Sequence, residues 1–362
     1  MNPRNERLKQ AIARLAPSGV PADALANGLY IEEPDHSFAD RTLARLDLYP
    51  KSSHLLLGPS GIGKSTQLLV LARKLRERNE LVPLFVDATA AKVDLQQRGS
   101  LITHLALNLK RILVDEMAGD DMLARIVAAF SVGSPKNTSA EEILRQLPRI
   151  KRKLVLLLDS YDHLPVQRFG LLCSEDLASL KQHMAIVAVG PLAMTSGPGH
   201  SLAEHFDFPS RQPIYNPALG GTMHAFFMRL LGQRVDEDLL PAECCARLVD
   251  ASGGVPRDLL ALAQLALEES FVAGYNCVEP DDVTRAIARF GQKHIAGLDS
   301  DDLARLNRVR KTGTLAPRDN RAVNLLATRR ILEYISPAGG STFAVHPALI
   351  PLIGQPDPLE SL

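Results

Sequence analysis

The chain reads as an α/β protein: a parallel sheet with helices on both faces, then a helical part, then a terminal helix-and-hairpin unit. Three observations predict this. From about Tyr30 to Pro191, short apolar runs alternate with helix-forming stretches, the pattern of a parallel sheet with helical crossovers. The run His54–Leu57 leads into a loop holding Gly58, Gly61 and Gly63, then into a helical stretch, Gln67 to Arg78. After about Asn216 the strand-like runs stop and helical patterns take over, until two β-rich runs flank Gly339-Gly340 near the end.

The elements follow in order. Leu8, Ile12 and Leu15 fall at helical spacing within Arg4 to Leu15, so a short amphipathic helix opens the chain, either packing on the rest or serving as a hook for a partner. His54–Leu57 is the first strand, and Leu81–Asp87 is the second. Leu105, Leu109 and Ile112 form one stripe of a helix over Leu101 to Val114. A polar loop, Ser131 to Thr138, leads to Thr138-Ser-Ala-Glu141, a capping-box pattern that opens another helix. Leu154–Leu158 and Ala185–Gly190 are continuous apolar runs, as expected of strands buried on both faces. Helices are expected over Met223–Leu231, Ala242–Ala251, Pro256–Phe271, Asp281–Phe290 and Asp301–Asn307, the last with Ser300 as its N-cap. Ile331–Ile335 and Thr342–Val345 around a Gly-Gly turn predict a hairpin, and helices followed by a hairpin suggest a winged helix. The expected division is an N-terminal helix at 1–28, an α/β core at 29–215, a helical lid at 216–296 and a winged helix at 297–362.

Composition sets bounds. The 362 residues suffice for two or three domains. Lys plus Arg and Asp plus Glu both number 41, so overall charge argues neither for nor against nucleic acid. The first residues, Met1 to Arg7, are polar and carry no apolar signal region, and no apolar run approaches the length of a membrane span. Cys173, Cys244, Cys245 and Cys277 lack C-x-x-C spacing. Reduced thiols in a cytoplasmic protein are expected.

Gly58-Pro59-Ser60-Gly61-Ile62-Gly63-Lys64-Ser65 fits the P-loop pattern G-x-x-x-x-G-K-[ST] at every specified position, between a strand and a helix. Glycine lets the backbone approach a phosphate without a clashing Cβ. Loop N–H groups and the start of the following helix cradle the anion. Lys64 supplies a point charge to the β- and γ-phosphates, Ser65 a hydroxyl to Mg²⁺, and Thr66 directly follows. ATP or ADP with Mg²⁺ is therefore the expected ligand. The run Leu154 to Asp159 ends in an acid, the Walker B pattern, which sets Asp159 at a strand end where it can hold Mg²⁺. Two positions on, Asp162 is either the residue that orients the attacking water or a helix-capping aspartate.

These residues resemble a known class. A small residue, Ser160, after the Mg²⁺ aspartate and then Asp162 is similar to the Walker B of the STAND NTPases, which include NB-ARC and NACHT proteins; His163 departs from the final acid of that pattern. Ser252-Gly-Gly-Val-Pro256-Arg257 looks like the GxP motif of the STAND helical domain, with Pro256 where its missing N–H costs nothing. In the class this proline packs near bound nucleotide. Arg257 resembles the sensor-2 arginine of AAA+ relatives such as Orc/Cdc6, the alternative being a plain helix-start arginine. Phe343 to Leu352 resembles the "MHD" segment of NB-ARC proteins, with His346 at the histidine and Pro347 at the aspartate. There the histidine contacts the phosphate of ADP; the alternative is a histidine buried beneath the wing. Tyr30 and Ile31 lie just upstream of the first strand, in a segment that packs on adenine in these families. The resemblance spans about Tyr30 to Gly354 and fits AAA+ proteins of the Orc/Cdc6 type nearly as well. It implies a P-loop NTPase of the ASCE type.

The expected function is an ATP-binding, slowly hydrolysing switch whose domain arrangement or oligomeric state follows the bound nucleotide. STAND proteins carry effector and sensor domains, so a partner effector chain or self-association is expected, in bacterial signalling or defence. The alternative is a DNA-associated AAA+ ATPase that uses the basic residues Arg305, Arg308, Arg310, Lys311, Arg318, Arg321, Arg329 and Arg330. A solvated face is the plainer reading of that cluster. A small-molecule P-loop kinase fits less well, because of the long helical C-terminal half. Thr195 or Ser196 is the candidate for a sensor-1 residue, and Arg211 for an arginine finger.

Overall fold

The computed structural model describes residues 3–16, 21–33, 37–78, 80–91, 101, 102, 105, 153–195, 199–336 and 340–353. Of the helix expected over Leu101–Val114 only Leu101, Ile102 and Leu105 are described, as helical; the helix from Thr138 and the loop before it lie outside the described residues. By contact the chain forms two compact units, residues 36–58 with 64–212, and residues 1–35 with 59–63 and 213–362.

The first unit is built on a parallel sheet. Five strands are described: β1 (Ser53–Leu57), β2 (Leu81–Asp87), β3 (Lys153–Asp159), β4 (Ala185–Val189) and β5 (Phe208–Arg211), in the order β2-β3-β4-β1-β5. Leu55 lies opposite Ala188 on β4 and opposite Pro209 on β5, and Asp87 opposite Asp159. Every residue of β1 and β4 is buried, which accounts for their unbroken apolar runs. Leu55, Leu84, Leu156, Leu158, Ile186 and Phe169 share one core. Each such side chain contributes about 1.5–3 kcal/mol relative to exposure.

Two elements of this unit were not expected. β5 is an edge strand containing Pro209, which only an edge tolerates. Phe208 on it stacks on His54 at 5.0 Å and lies beneath Arg45. The helix α1 is Pro3–Leu15, in the other unit, and α2 is Phe38–Leu48. A reciprocal capping box of Ser37 and Asp40 starts α2. It lies between Tyr30-Ile31 and β1, so those two residues do not directly precede the first strand as expected. Along the sheet run α3 (Lys64–Arg76) and α4 (Val166–Leu172), the latter continuing through a π-turn at Cys173–Leu177.

The second unit is helical. Its helices are α5 (Gly221–Gly232), α6 (Ala242–Ala251), α7 (Pro256–Ala273), α8 (Pro280–Ile295), α9 (Ser300–Thr312) and α10 (Asn320–Ala327), and the antiparallel hairpin is β6 (Ile331–Ile335) with β7 (Ser341–Val345). Leu8, Ala11 and Leu15 of α1 are buried in one cluster with Phe227, Leu248, Leu262 and Leu267. Arg7 pairs with Asp236 and Asp238. The apolar stripe of α1 therefore packs on this unit's own helices. The N-cap of α9 is Asp299 and not Ser300: the Asp299 carboxylate accepts from the Asp302 N–H at 2.9 Å, leaving Ser300 inside the first turn. The helix α10 was not anticipated. Asp319 caps it through the Ala322 N–H at 2.8 Å.

Half of the eight residues of the basic segment are paired with acids within the fold. Arg305 pairs with Asp319, Arg318 with Glu333 and Arg321 with Asp299. Arg330 caps the His294 carbonyl, while Arg308 and Lys311 remain exposed. Cys173, Cys244 and Cys245 are buried free thiols; burial pushes those of Cys173 and Cys245 up to about 12. Among the described residues no helix is long and apolar enough to cross a membrane.

Candidate functional site

The glycine loop links β1 to α3, and its residues fall into both units. In the sheet unit, the loop's last positions begin α3. Lys64 is buried, its Nζ donating to the Gly58 carbonyl at 2.9 Å and lying 3.0 Å from Asp162 Oδ2. One residue on, Ser65 Oγ donates to Asp159 Oδ1 at 3.0 Å. Asp159 ends β3 and also accepts from the Ser160 N–H at 2.9 Å. Burial pushes the Asp159 carboxyl above the usual carboxylate range, the Ser65 and Ser160 hydrogen bonds pull it down, and Asp87 and Asp162 add to the rise. Such a group gains from a nearby cation. Ser160 is held in the left-handed region at φ 64°, turning the chain from the strand end so that Asp162 meets Lys64. Thr66 follows in the first turn of α3.

In the helical unit, residues 59–63 meet the start of α7 and the end of α10. Arg257 Nη1 donates to Ser60 Oγ at 2.7 Å, and the Arg257 N–H donates to the Gly61 carbonyl at 3.2 Å. A Cβ on Gly61 would stand 2.8 Å from the Arg257 Cβ, so this approach requires glycine. Pro256 is the first residue of α7. Before it, Gly254 at φ +80° passes so close to the chain that a Cβ would fall 1.8 Å from the Tyr215 carbonyl oxygen. Ile62 packs with Ile214, Val255 and Leu332.

Behind Arg257 lies an ion cluster that sequence reasoning missed. Arg329 donates through Nε and Nη2 to Asp258 at 2.7 and 3.0 Å, and through Nη1 to the Ser60 carbonyl at 3.0 Å. His346 is fully buried, its Nε2 lying 3.5 Å from Asp258. Its Nδ1 accepts from the Ala348 N–H at 3.3 Å, which leaves Nε2 to carry a hydrogen, toward Asp258. Burial alone would raise the Asp258 carboxyl, but His346 and Arg329 outweigh it and hold the group below its ordinary value. His294 stands 5.6 Å from the His346 ring; burial pushes it down to about 4. His346 is thus buried beside Asp258.

The other expected residues are placed as follows. Tyr30 is half-buried, and Ile31 packs on the helical core. Thr195 donates its hydroxyl to the Leu192 carbonyl at 2.8 Å, and Arg211 donates to the Thr195 carbonyl at 3.3 Å. Ser196 lies outside the described residues. Nothing local in the sequence marks Arg329. Asp258 adjoins Arg257, but its partner is 71 residues away.

No family model matches the chain, and no curated protein matches it by sequence. Solved structures do match it in fold. The Orc2 protein of Aeropyrum pernix, determined as ADPNP-ADP complexes, aligns over 88% of this chain and 92% of its own at 13% identity, with a TM-score of 0.50. The chain has the Orc/Cdc6-type fold. Cdc6p of Pyrobaculum aerophilum covers 94% of this chain and 97% of its own at 12% identity and a TM-score of 0.50. The Walker-type ATPase PABY2304 of Pyrococcus abyssi covers 90% and 99% at 16% identity and a TM-score of 0.51. The fold is thus a parallel α/β domain carrying the glycine loop, followed by a helical C-terminal region.

Proposed function

We propose that the chain binds ATP or ADP with Mg²⁺ at the glycine loop and hydrolyses ATP slowly, as a switch. The observation that carries this is the pairing of Ser65 with Asp159 at 3.0 Å, next in sequence to the buried Lys64. A hydroxyl and a buried carboxylate side by side suit Mg²⁺, and a buried ammonium suits a phosphate. Lys64 would hold the β- and γ-phosphates, while Ser65 and Asp159 would hold the metal. When bound there, the metal would supply charge that offsets the build-up on the phosphate oxygens. Asp162 would orient the attacking water once a phosphate competes for Lys64. Arg257 would contact the nucleotide. Residues 29–215 would serve as core, 216–296 as lid and 297–362 as winged helix.

The switch character, of the STAND kind, is supported by Ser160. A small residue in left-handed backbone after Asp159 matches that class's pattern. Slow turnover fits a site whose lysine is engaged by Asp162. A partner effector chain or self-association would read the state. Duplex DNA as a partner ranks second, because Arg305, Arg318, Arg321 and Arg329 are engaged within the fold. The test is titration of fluorescent ADP and ATP analogues with and without Mg²⁺, together with the oligomeric state in ADP and in a non-hydrolysable ATP analogue. Absence of Mg²⁺-dependent binding removes the nucleotide reading; one unchanged oligomer and one unchanged hydrodynamic radius remove the switch.

A further inference from the structure

Only two non-glycine residues among those described have a positive φ: Ser160, beside the Walker B aspartate, and Arg329 at 62°. Arg329 occupies the residue just past the cap of α10. Its N–H donates to the Leu326 carbonyl at 3.1 Å, and the Arg330 N–H donates to the Leu325 carbonyl at 2.9 Å. These two bonds define a Schellman ending, whose left-handed position glycine normally fills. The helices α7 and α9 follow that rule, ending on left-handed Gly274 and Gly313. An arginine in this place strains the backbone, and such strain persists where the surroundings over-determine it.

The surroundings of Arg329 show what holds it. Its side chain is 12% exposed and makes three hydrogen bonds, two to the carboxylate of Asp258 and one to the carbonyl of Ser60. The same Ser60 donates its N–H to the Ala327 carbonyl at 3.4 Å, at the end of the same helix. The end of α10 therefore grips the glycine loop at both backbone groups of one residue. We propose that Arg329 is a positioning residue for the phosphate loop: it ties the Ser60 peptide to buried Asp258 and so sets how tightly the loop holds a nucleotide. This rests on the nucleotide reading given above. Arg329 acts on the loop backbone, so its effect covers ADP and ATP alike, whereas a group reading the γ-phosphate would affect ATP alone.

Two variants of the full chain test it. Arg329→Lys keeps a cation for Asp258 but cannot form three directed bonds at once. The double variant Arg329→Gly with Asp258→Asn relieves the backbone and removes both charges together. Two quantities are read below the melting temperature of every variant: amide hydrogen exchange of the peptide spanning 58–66 without nucleotide, and the affinity for N-methylanthraniloyl-ADP. In both variants exchange across 59–63 should speed up, and ADP affinity should fall by about fivefold or more, the size of one directed hydrogen bond. Unchanged exchange, or a smaller loss of affinity in either variant, overturns the proposal and leaves Arg329 a structural ion pair. A wild-type chain that binds no ADP overturns the nucleotide reading itself, and this proposal with it.

Discussion

The ammonium of Lys64 lies 3.0 Å from the carboxylate of Asp162, with side-chain exposures of 6% and 15%. A phosphate and Asp162 would thus compete for one cation. Asp162→Asn should leave nucleotide affinity unchanged or tighter while slowing steady-state hydrolysis by about a hundredfold, the scale of a lost general base. Phosphate release and analogue titration on the same preparation separate the two effects. Unchanged turnover would demote Asp162 to a partner of the lysine.

Lys64→Ala should weaken ADP and ATP binding by about a hundredfold or more, since it removes a buried charge-assisted contact. It also leaves Asp162 without its cation, so a melting curve should accompany the titration. Tight ATP binding by a folded Lys64→Ala chain would remove the phosphate role of the loop.

Ser65→Ala and Asp159→Asn address the metal. Each should abolish the Mg²⁺-dependent part of nucleotide binding and leave the part measured in chelator within about threefold, because only the metal contacts are lost. Mg²⁺ titration at fixed nucleotide reads this directly. An equal loss with and without Mg²⁺ would show that the two residues hold the loop and not the ion.

Gly254→Ala should destabilise the chain by about 2 kcal/mol or more, through strain at positive φ and overlap with a rigid carbonyl. The new Cβ would stand 1.8 Å from the Tyr215 oxygen, and that neighbour is backbone. Gly232→Ala, whose Cβ would meet nothing within 4 Å, is the control and should be neutral or stabilising. Urea midpoints of the two variants give the comparison.

Acid should weaken the sheet unit through His54. Burial, with help from Arg45, pushes this imidazole from 6.5 down to about 4, although Asp207 pulls the other way. A folded-state value below the unfolded one means the unfolded chain takes up the proton first. The contribution is complete above about pH 6.5 and is lost as pH falls toward 4, amounting to about 2 kcal/mol at pH 5. His294, also pushed to about 4, adds in the same direction in the helical unit. The urea midpoint should drop between pH 7.5 and 5, and His54→Asn should flatten that slope.

The strands β1, β3 and β4 were legible in the sequence because double-faced burial writes itself as an unbroken apolar run. Lys64 and Ser65 were legible because the glycine loop fixes their spacing, and Asp159 because it ends an apolar strand run. The strand β5 was not: four residues with a proline carry no local signal, and pairing with β1 makes them a strand. The cap of α9 was read one residue late because Asp299 and Ser300 are both good caps, and only the carboxylate's reach to Asp302 decides between them. Arg329 was legible only as one arginine in a basic stretch. Its bonds join it to Asp258 and to Ser60, 269 residues away, and no pattern along the chain records them.

The division of the glycine loop between the two units has a practical consequence. The chain passes from one unit to the other four times, after residues 35, 58, 63 and 212, and two of these passages are five residues apart. No single cut can release either unit whole. A fragment ending at 212 strands the loop tip away from Arg257 and Arg329, and a fragment beginning at 213 lacks Ser60 and Ile62, which fill its contacts. Dissection into separately expressed halves will therefore report on mutilated pieces. Point substitutions and cross-links in the full chain are the tools that suit a chain whose two units interleave along the sequence.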